Sequence, residues 1–186
     1  MPNPKLLVFA GSARADSFNK KLAKIAASIA EKCGATVTFA DLADYPAAIF
    51  NEDDETANGV PQTMRDFKTL MQQHDGFIIV SPEYNGCIPP LLSNTFSWAS
   101  RQEGGEKSMI AFSSKKAALM ATSPGRLGGI RVLPRLRDSL GDLGVMVVPG
   151  FVSVPLAGEV FKDDVLDDKQ INIIQKHVTQ LIDACG

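Results

Sequence analysis

Short runs rich in apolar and β-branched residues recur along the chain, and most are followed by stretches with apolar residues at helical spacing. The runs occupy positions 5–10, 35–40, 76–80, 116–121 and 145–148. Unbroken runs of this length are typical of strands buried on both faces of a parallel sheet. The pattern therefore predicts five parallel strands.

The stretches between these runs predict helices. The first apolar stripe consists of Leu22, Ile25, Ala26, Ile29, Ala30 and Cys33. Pro61 and Pro134 suit the first turns of two later helices, and Asp167 with Gln170 is typical of the start of the last one. Strands that alternate with helices predict an α/β fold with right-handed crossovers. We expect a flavodoxin-like three-layer sandwich with a five-stranded parallel sheet, order 2-1-3-4-5, as one domain over residues 1–186.

Two stretches predict local features outside the sheet. Residues 41–59 contain Pro46 and the acidic run 52–55, which predicts a long polar connection with a solvated acidic segment. His74 lies near the end of the helix that follows Pro61. There the helix dipole favours a partial positive charge, so we expect a helix C-terminal position for His74 rather than an active-site role.

Composition narrows the class of protein. The 186 residues carry a formal net charge of −2, which argues against nucleic acid or an anionic membrane as the main partner. No apolar run is long enough to span a membrane, and the first residues do not resemble a signal peptide, so we expect a cytoplasmic protein. Cys33, Cys87 and Cys185 form no CxxC pair, and with two histidines the chain offers little material for a metal site.

The first predicted strand is followed by a loop suited to a phosphate, residues 11–19. Ser12, Ser17 and Asn19 are short hydrogen-bonding side chains, and Arg14 adds a fixed charge next to the expected start of a helix. The loop is neither a GxGxxG dinucleotide turn nor a Walker A loop, which favours a mononucleotide. The alternative is an ordinary helix cap with Arg14 in solvent.

The loops after the third and fourth strands should meet this phosphate loop at one edge of the sheet. The first of them reads Ser-Pro-Glu-Tyr-Asn-Gly over 81–86. The ring of Tyr84 and the main-chain N–H groups of residues 83–86 suit a flat, phosphorylated aromatic ligand. Taken alone, Tyr84 and Asn85 favour a plain hairpin-like turn, but the phosphate loop on the neighbouring strand favours a ligand-binding loop.

The segments 11–19, 81–86 and 123–125, with Gly128, Gly129 and Arg131, together resemble the NAD(P)H-dependent FMN reductases, which include quinone, azo-dye and chromate reductases. The resemblance covers nearly the whole chain. It implies that FMN phosphate binds at Ser12, Arg14, Ser17 and Asn19. It implies ring and ribityl contacts at Pro82, Glu83, Tyr84, Asn85 and Gly86, with Ser123 and Gly125 near the ring.

The implied activity is electron transfer from NADPH or NADH, through bound FMN, to a small-molecule acceptor. The acceptor would be a quinone, an azo compound, free flavin or a metal oxyanion, and the cofactor rather than an acid–base pair would carry the reaction. The alternative is a flavodoxin-type electron carrier that does not itself oxidise NAD(P)H. Such carriers use a strong negative field to reach basic partners, and a charge of −2 is weak.

The resemblance also implies a homodimer or homotetramer. Phe96 and Trp98 lie two positions apart on one short predicted helix, so we expect that one of them faces away from the core and is covered by a partner. The helix differs from that of relatives at Cys87, Pro90 and the 93–97 segment. Cys87 lies close to the implied cofactor, and we expect an inert small residue there.

Overall fold

The computed structural model describes residues 3–161 and 166–186, and its centre is a parallel sheet. The strands run in the order β2-β1-β3-β4-β5, with β6 also paired to β4. This confirms the predicted fold class and strand order. The strands are β1 (Lys5–Ala10), β2 (Thr36–Ala40), β3 (Gly76–Val80), β4 (Lys116–Thr122), β5 (Met146–Val147) and β6 (Val152–Val154).

The fifth position of the sheet is shared by two short strands. β5 pairs with the first residues of β4, through Lys116 and Ala117. β6 pairs with the last residues of β4, where Met120 lies opposite Val152. Pro149 stands between the two strands, and proline has no N–H with which to continue a ladder. The strand predicted over 145–148 is therefore shorter than expected, and β6 extends the edge beyond it.

The helices cover both faces of the sheet. They are α1 (Phe18–Lys32), α2 (Glu52–Asn58), α3 (Gln62–Gln73), α4 (Pro90–Ala99), α5 (Val132–Asp142), α6 (Ala157–Val160) and α7 (Asp168–Cys185). The side chain of Asp167 accepts the N–H of Gln170 at 2.7 Å, which confirms the predicted start of the last helix. Pro61 and Pro134 lie at the starts of α3 and α5, as predicted.

Alternate residues of each central strand enter different cores. Leu7 and Phe9 of β1 pack with α3, α4 and α5, and Leu6 and Val8 pack with α1 and α7. Because both faces are covered, residues 6–9 are all completely buried. This double burial is the physical reason why the strands read as unbroken apolar runs.

The acidic segment within residues 41–59 is helical. Asn51 caps α2 by accepting the N–H of Asp53 at 3.0 Å, and all four acidic residues lie in the first turn, where the helix dipole favours negative charge. The acidic residues are mostly exposed, as expected, but they lie in a short helix rather than in a loop. The prediction for His74 is confirmed, because this residue ends α3 and its ring nitrogens contact Leu70 O and Thr38 Oγ1 at 2.6 and 2.8 Å.

Phe96 and Trp98 of α4 are both buried, so the expectation that one of them faces outward was wrong. Phe96 packs edge-on against Phe112, with ring centroids 5.7 Å apart. Trp98 packs against Phe50, with centroids 5.0 Å apart, and its indole N–H donates to Ala48 O at 2.8 Å. The connection between β2 and α2 folds over α4 and supplies the second apolar surface that the helix needs.

Candidate flavin site

Three loops meet at the carboxyl edge of the sheet. Loop one (residues 11–17) follows β1, loop two (81–89) follows β3, and loop four (123–131) follows β4. β1 lies between β2 and β3, so the crossovers leave it in opposite directions and open a crevice there. The crevice has a volume of about 160 Å³ and is lined by Ser12, Arg14, Ser17, Phe18, Asn19, Pro82, Glu83, Tyr84, Thr122, Ser123 and Pro124.

Loop one presents two hydroxyl groups that retain a proton to donate. The Ser12 hydroxyl accepts the N–H of Arg14, and the Ser17 hydroxyl accepts the N–H of Lys20, both at 3.4 Å. Both serines are more than nine-tenths buried, yet both line the crevice. Because a hydroxyl can accept and donate at once, each can still bind an anionic oxygen.

The start of α1 adds further donors to loop one. Ser17 is the N-cap, and the N–H groups of Phe18 and Asn19 have no hydrogen-bond partner within residues 3–161 and 166–186. The guanidinium of Arg14 is exposed and forms no ion pair with any residue in those ranges. Free N–H groups, a helix dipole and an uncommitted cation are features that favour the binding of an anion.

Asn19 plays a structural part through its side chain. Its Nδ2 donates to Thr122 O and its Oδ1 accepts the N–H of Thr122, both at 3.1 Å. The two hydrogen bonds join the first turn of α1 to the end of β4. The amide of Asn19 is therefore engaged, and its main-chain N–H is the donor that remains for a ligand.

Loop two contains a tight two-residue turn. The N–H of Cys87 donates to Tyr84 O at 2.8 Å, and the N–H of Tyr84 donates to Cys87 O at 3.1 Å. Asn85 and Gly86 between them have φ of 53° and 74°, the positive values that an Asn-Gly hairpin turn requires. Tyr84 is 50% exposed and offers its ring at the crevice.

Glu83, the residue before this turn, is bound to the start of α5. Its carboxylate accepts the main-chain N–H of Arg131 at 3.0 Å and the Nε–H of the same residue at 2.8 Å. The Glu83 side chain is 8% exposed and that of Arg131 is 61% exposed. Glu83 thus meets an arginine rather than standing free at the crevice.

Loop four is held in place by the segment that follows β6. Ser123 O accepts the N–H of Ala157 at 3.0 Å, and Gly125 O accepts the N–H of Leu156 at 3.2 Å. A side chain at Gly128 would approach Ser153 Oγ to 2.5 Å, so only glycine fits this contact. The loop is therefore tightly fixed beside the crevice.

Four residues of this region were missing from the predicted site, one of which is Pro124 in the lining of the crevice. Phe18 and Thr122 line the crevice, and Arg135 places Nη1 3.1 Å from where a Cβ of Gly86 would lie. The signal for Arg135 was its place one helical turn after Arg131.

Residues 3–161 and 166–186 meet neither the requirements of a metal site nor those of a membrane-spanning helix. No group of three or more His, Cys, Asp or Glu side chains there is arranged to hold a metal ion. Every helix described in the same ranges is too short or too polar to cross a bilayer.

The fold and the crevice define a flavodoxin-like protein with a mononucleotide-binding edge. The sequence profile of the NADPH-dependent FMN reductase family matches residues 4–159, and the chain belongs to this family. Its cofactor is FMN and its electron donor is NAD(P)H. The chemistry of the lining suits such a cofactor, because hydroxyl groups and an arginine at the start of α1 share the crevice with the half-exposed Tyr84.

Relatives in this family have closely related names. The chain is 33% identical over 144 residues to a 2-hydroxy-1,4-benzoquinone reductase of a Burkholderia species. This alignment covers 77% of this chain and 74% of the relative. It is 32% identical over 174 residues to a quinone reductase of Pseudomonas putida, and this alignment covers 92% of this chain and 89% of the relative.

A solved structure is similar over nearly the full length. The flavoenzyme NAD(P)H:(acceptor) oxidoreductase FerB of Paracoccus denitrificans superposes with a TM-score of 0.82 at 27% identity. The match covers 98% of this chain and 97% of FerB. This protein is therefore an NAD(P)H-dependent flavin oxidoreductase.

Proposed function

We propose that this protein binds FMN across loops one, two and four and passes electrons from NAD(P)H to a quinone. The single observation that carries the proposal is the crevice, where the donors of loop one lie opposite the exposed ring of Tyr84. The names of two relatives support a quinone as the acceptor. When bound, FMN supplies the two-electron chemistry that links the donor to the acceptor.

The residues of the crevice would divide the work of holding FMN. Ser12, Arg14 and Ser17, with the N–H groups at the start of α1, would bind the phosphate. Pro82, Tyr84, Asn85 and Gly86 of loop two would lie against the ring and the ribityl chain. Ser123 and Gly125 of loop four would close the other side, the hydroxyl of Ser123 as a donor and Gly125 by leaving space. Asn19 and Glu83 would serve chiefly through their main-chain N–H groups, because both side chains are engaged elsewhere.

The acceptor is tested by steady-state kinetics with the purified holoprotein. We expect the kcat/KM for 1,4-benzoquinone to exceed that for an azo dye, free FMN or chromate by at least tenfold. Higher efficiency with any of these other acceptors would contradict the quinone assignment. Parallel runs with NADPH and NADH give the donor preference.

A flavodoxin-type carrier is excluded or supported by rapid mixing. The holoprotein is mixed anaerobically with NADPH, and the flavin absorbance near its visible maximum is followed in time. A reductase loses this absorbance rapidly, whereas a carrier keeps it until a partner reductase is added. Persistent absorbance with both NADPH and NADH would favour the carrier.

We further propose that the protein works in the cytoplasm, as a homodimer or homotetramer. The three cysteines, none in a disulfide in the described structure, suit a reducing compartment. Tyr84, Leu127 and Ile130 expose apolar surface on loops two and four, which suits a subunit contact beside the crevice. Light scattering at micromolar concentration should give a multiple of the 20.0 kDa subunit mass. A mass of one subunit would exclude a stable oligomer.

A further inference from the structure

Glu83 and Arg131 form a clasp between loop two and the start of α5. Three hydrogen bonds converge on one carboxylate, from the N–H, the Nε–H and the Nη2–H of Arg131. The two residues are 48 positions apart in the sequence. A forked guanidinium together with a main-chain donor fixes the direction of the carboxylate, which a single hydrogen bond would not do.

The clasp acts on the part of loop two that faces the crevice. Glu83 lines the crevice and is bonded in sequence to Tyr84, where the two-residue turn begins. Gly129 brings loop four against the same place, since a Cβ there would lie 3.7 Å from Glu83 Cβ. The position of the turn is therefore set by α5 and loop four as well as by β3.

The clasp also neutralises a negative charge beside the crevice. The Glu83 side chain is 8% exposed, so solvent screens its charge poorly. The guanidinium of Arg131 and the positive end of the α5 dipole both oppose this charge. Reduced FMN is more negative than oxidised FMN, so a bare carboxylate at this place would oppose reduction.

We propose that Arg131 is a positioning residue for the flavin. Through Glu83 it holds the Tyr84–Cys87 turn in the orientation that binds FMN, and it cancels the charge that would otherwise disfavour the reduced cofactor. This inference rests on the proposed function, because it requires FMN in the crevice.

The test compares five forms of the purified full chain: the parent, Arg131→Met, Arg131→Lys, the double variant Glu83→Gln/Arg131→Met, and Arg137→Met. Arg137 is a matched control on the same helix, because among the described residues its ion pair is with its exposed neighbour Asp138 and not with a residue of loop two. Two quantities are measured for each form. They are the dissociation constant of oxidised FMN, by fluorescence titration, and the midpoint potential of bound FMN, by anaerobic dye equilibration.

Arg131→Met should weaken the binding of oxidised FMN about tenfold and the binding of reduced FMN by about a further tenfold. The second effect corresponds to a fall of about 30 mV in a two-electron midpoint potential. The double variant should regain the parent's potential while its affinity for FMN stays low. Arg131→Lys should keep the potential and lose affinity, since lysine retains the charge without the fork. Arg137→Met should match the parent in both quantities.

Each part of the inference has an outcome that overturns it. Arg131→Met with the parent's affinity and potential would remove the positioning role. A double variant with the same lowered potential as Arg131→Met would remove the charge argument. If Arg131→Met does not fold, unaltered affinity in Arg131→Lys overturns the inference instead. A parent protein that binds no FMN overturns the proposed function together with this inference, whereas a parent that binds FMN beside indifferent variants overturns the inference alone.

Discussion

Arg14 lies at the crevice with its guanidinium exposed, and no acidic side chain in the described part of the chain pairs with it. Such a cation is well placed to bind the phosphate that distinguishes FMN from riboflavin. A hydrogen bond to a charged group contributes about 1.5–3 kcal/mol. A substitution of Arg14 therefore distinguishes the contribution of the phosphate to binding from that of the flavin ring.

Arg14→Ala should lower the affinity for FMN by roughly ten- to a hundredfold and leave the affinity for riboflavin almost unchanged. Riboflavin is the internal control, because it has the same ring and ribityl chain without the phosphate. Fluorescence titration of the apoprotein with both ligands measures the difference. Equal weakening of the two would remove Arg14 from the phosphate site.

Gly86 and Gly104 provide a matched pair of positive-φ glycines, with φ of 74° and 55°. An alanine at either position would cost about 1–2 kcal/mol of stability, because an L side chain rarely adopts this backbone conformation. A Cβ at Gly86 would meet Arg135 Nη1 at 3.1 Å, a flexible group that can move, and a Cβ at Gly104 would meet nothing within 4 Å. Both variants should therefore fold.

Gly86→Ala should lose FMN affinity at least tenfold, whereas Gly104→Ala should keep it, because only Gly86 lies in the turn proposed to contact the ring. Apoprotein melting temperatures should fall by similar amounts in the two variants. Flavin titration then measures the effect on the site. Parent-like FMN binding by Gly86→Ala would make loop two a plain connector.

Among the elements, α4 shows how a connection becomes part of the core. Asn94 on α4 accepts the N–H of Phe50 at 2.7 Å and donates to Ala48 O at 2.9 Å. Trp98, one turn later, donates to the same carbonyl oxygen at 2.8 Å. These contacts fasten residues 45–51 over α4, which is why the helix is buried on two sides.

Asn94→Ala should lower the free energy of unfolding by about 1–3 kcal/mol, since it leaves the partly buried N–H of Phe50 without its acceptor. Ser93→Ala is the control, because Ser93 is the exposed neighbour on the same helix. Urea denaturation of both apoproteins measures the difference. Equal stability of the two variants would mean that the connection is held by the packing of Phe50 and Trp98 alone.

At the scale of the whole molecule, α7 packs on the sheet with a histidine among its buried residues. His177 is 4% exposed, and its Nε2 has no hydrogen-bond partner among the described residues. Burial lowers the pKa of His177 below its usual value near 6.5. The unfolded chain therefore binds a proton at a higher pH than the folded protein does.

This shift makes stability fall with acid. Above pH 6.5 His177 is neutral in both the folded and the unfolded state, so its titration does not lower the stability. Below pH 6.5 the free energy of unfolding should fall by up to about 1.4 kcal/mol per pH unit until the folded-state pKa is reached. Denaturation of the parent and of His177→Gln between about pH 7.5 and about pH 5 separates this effect from that of carboxylates. An identical slope for the two proteins would contradict it.

The sequence by itself determined the parts of the protein that depend on local pattern. β1, β3 and β4 were recognisable because burial on two faces leaves only apolar residues, and α1 and α7 because one buried face leaves a stripe. The three loops at the carboxyl edge followed from the strand order. The family resemblance assigned the cofactor and donor that the comparisons bear out.

Only the tertiary structure decided which distant groups meet. Asn19 and Thr122 are 103 positions apart, and Glu83 and Arg131 are 48 apart. Trp98 is buried because a separate connection folds over it. The fifth position of the sheet is shared by two short strands, since Pro149 interrupts the first and β6 pairs with the far end of β4. A local pattern records whether a residue is buried or polar, but the partner of each group is set by how the chain packs in space.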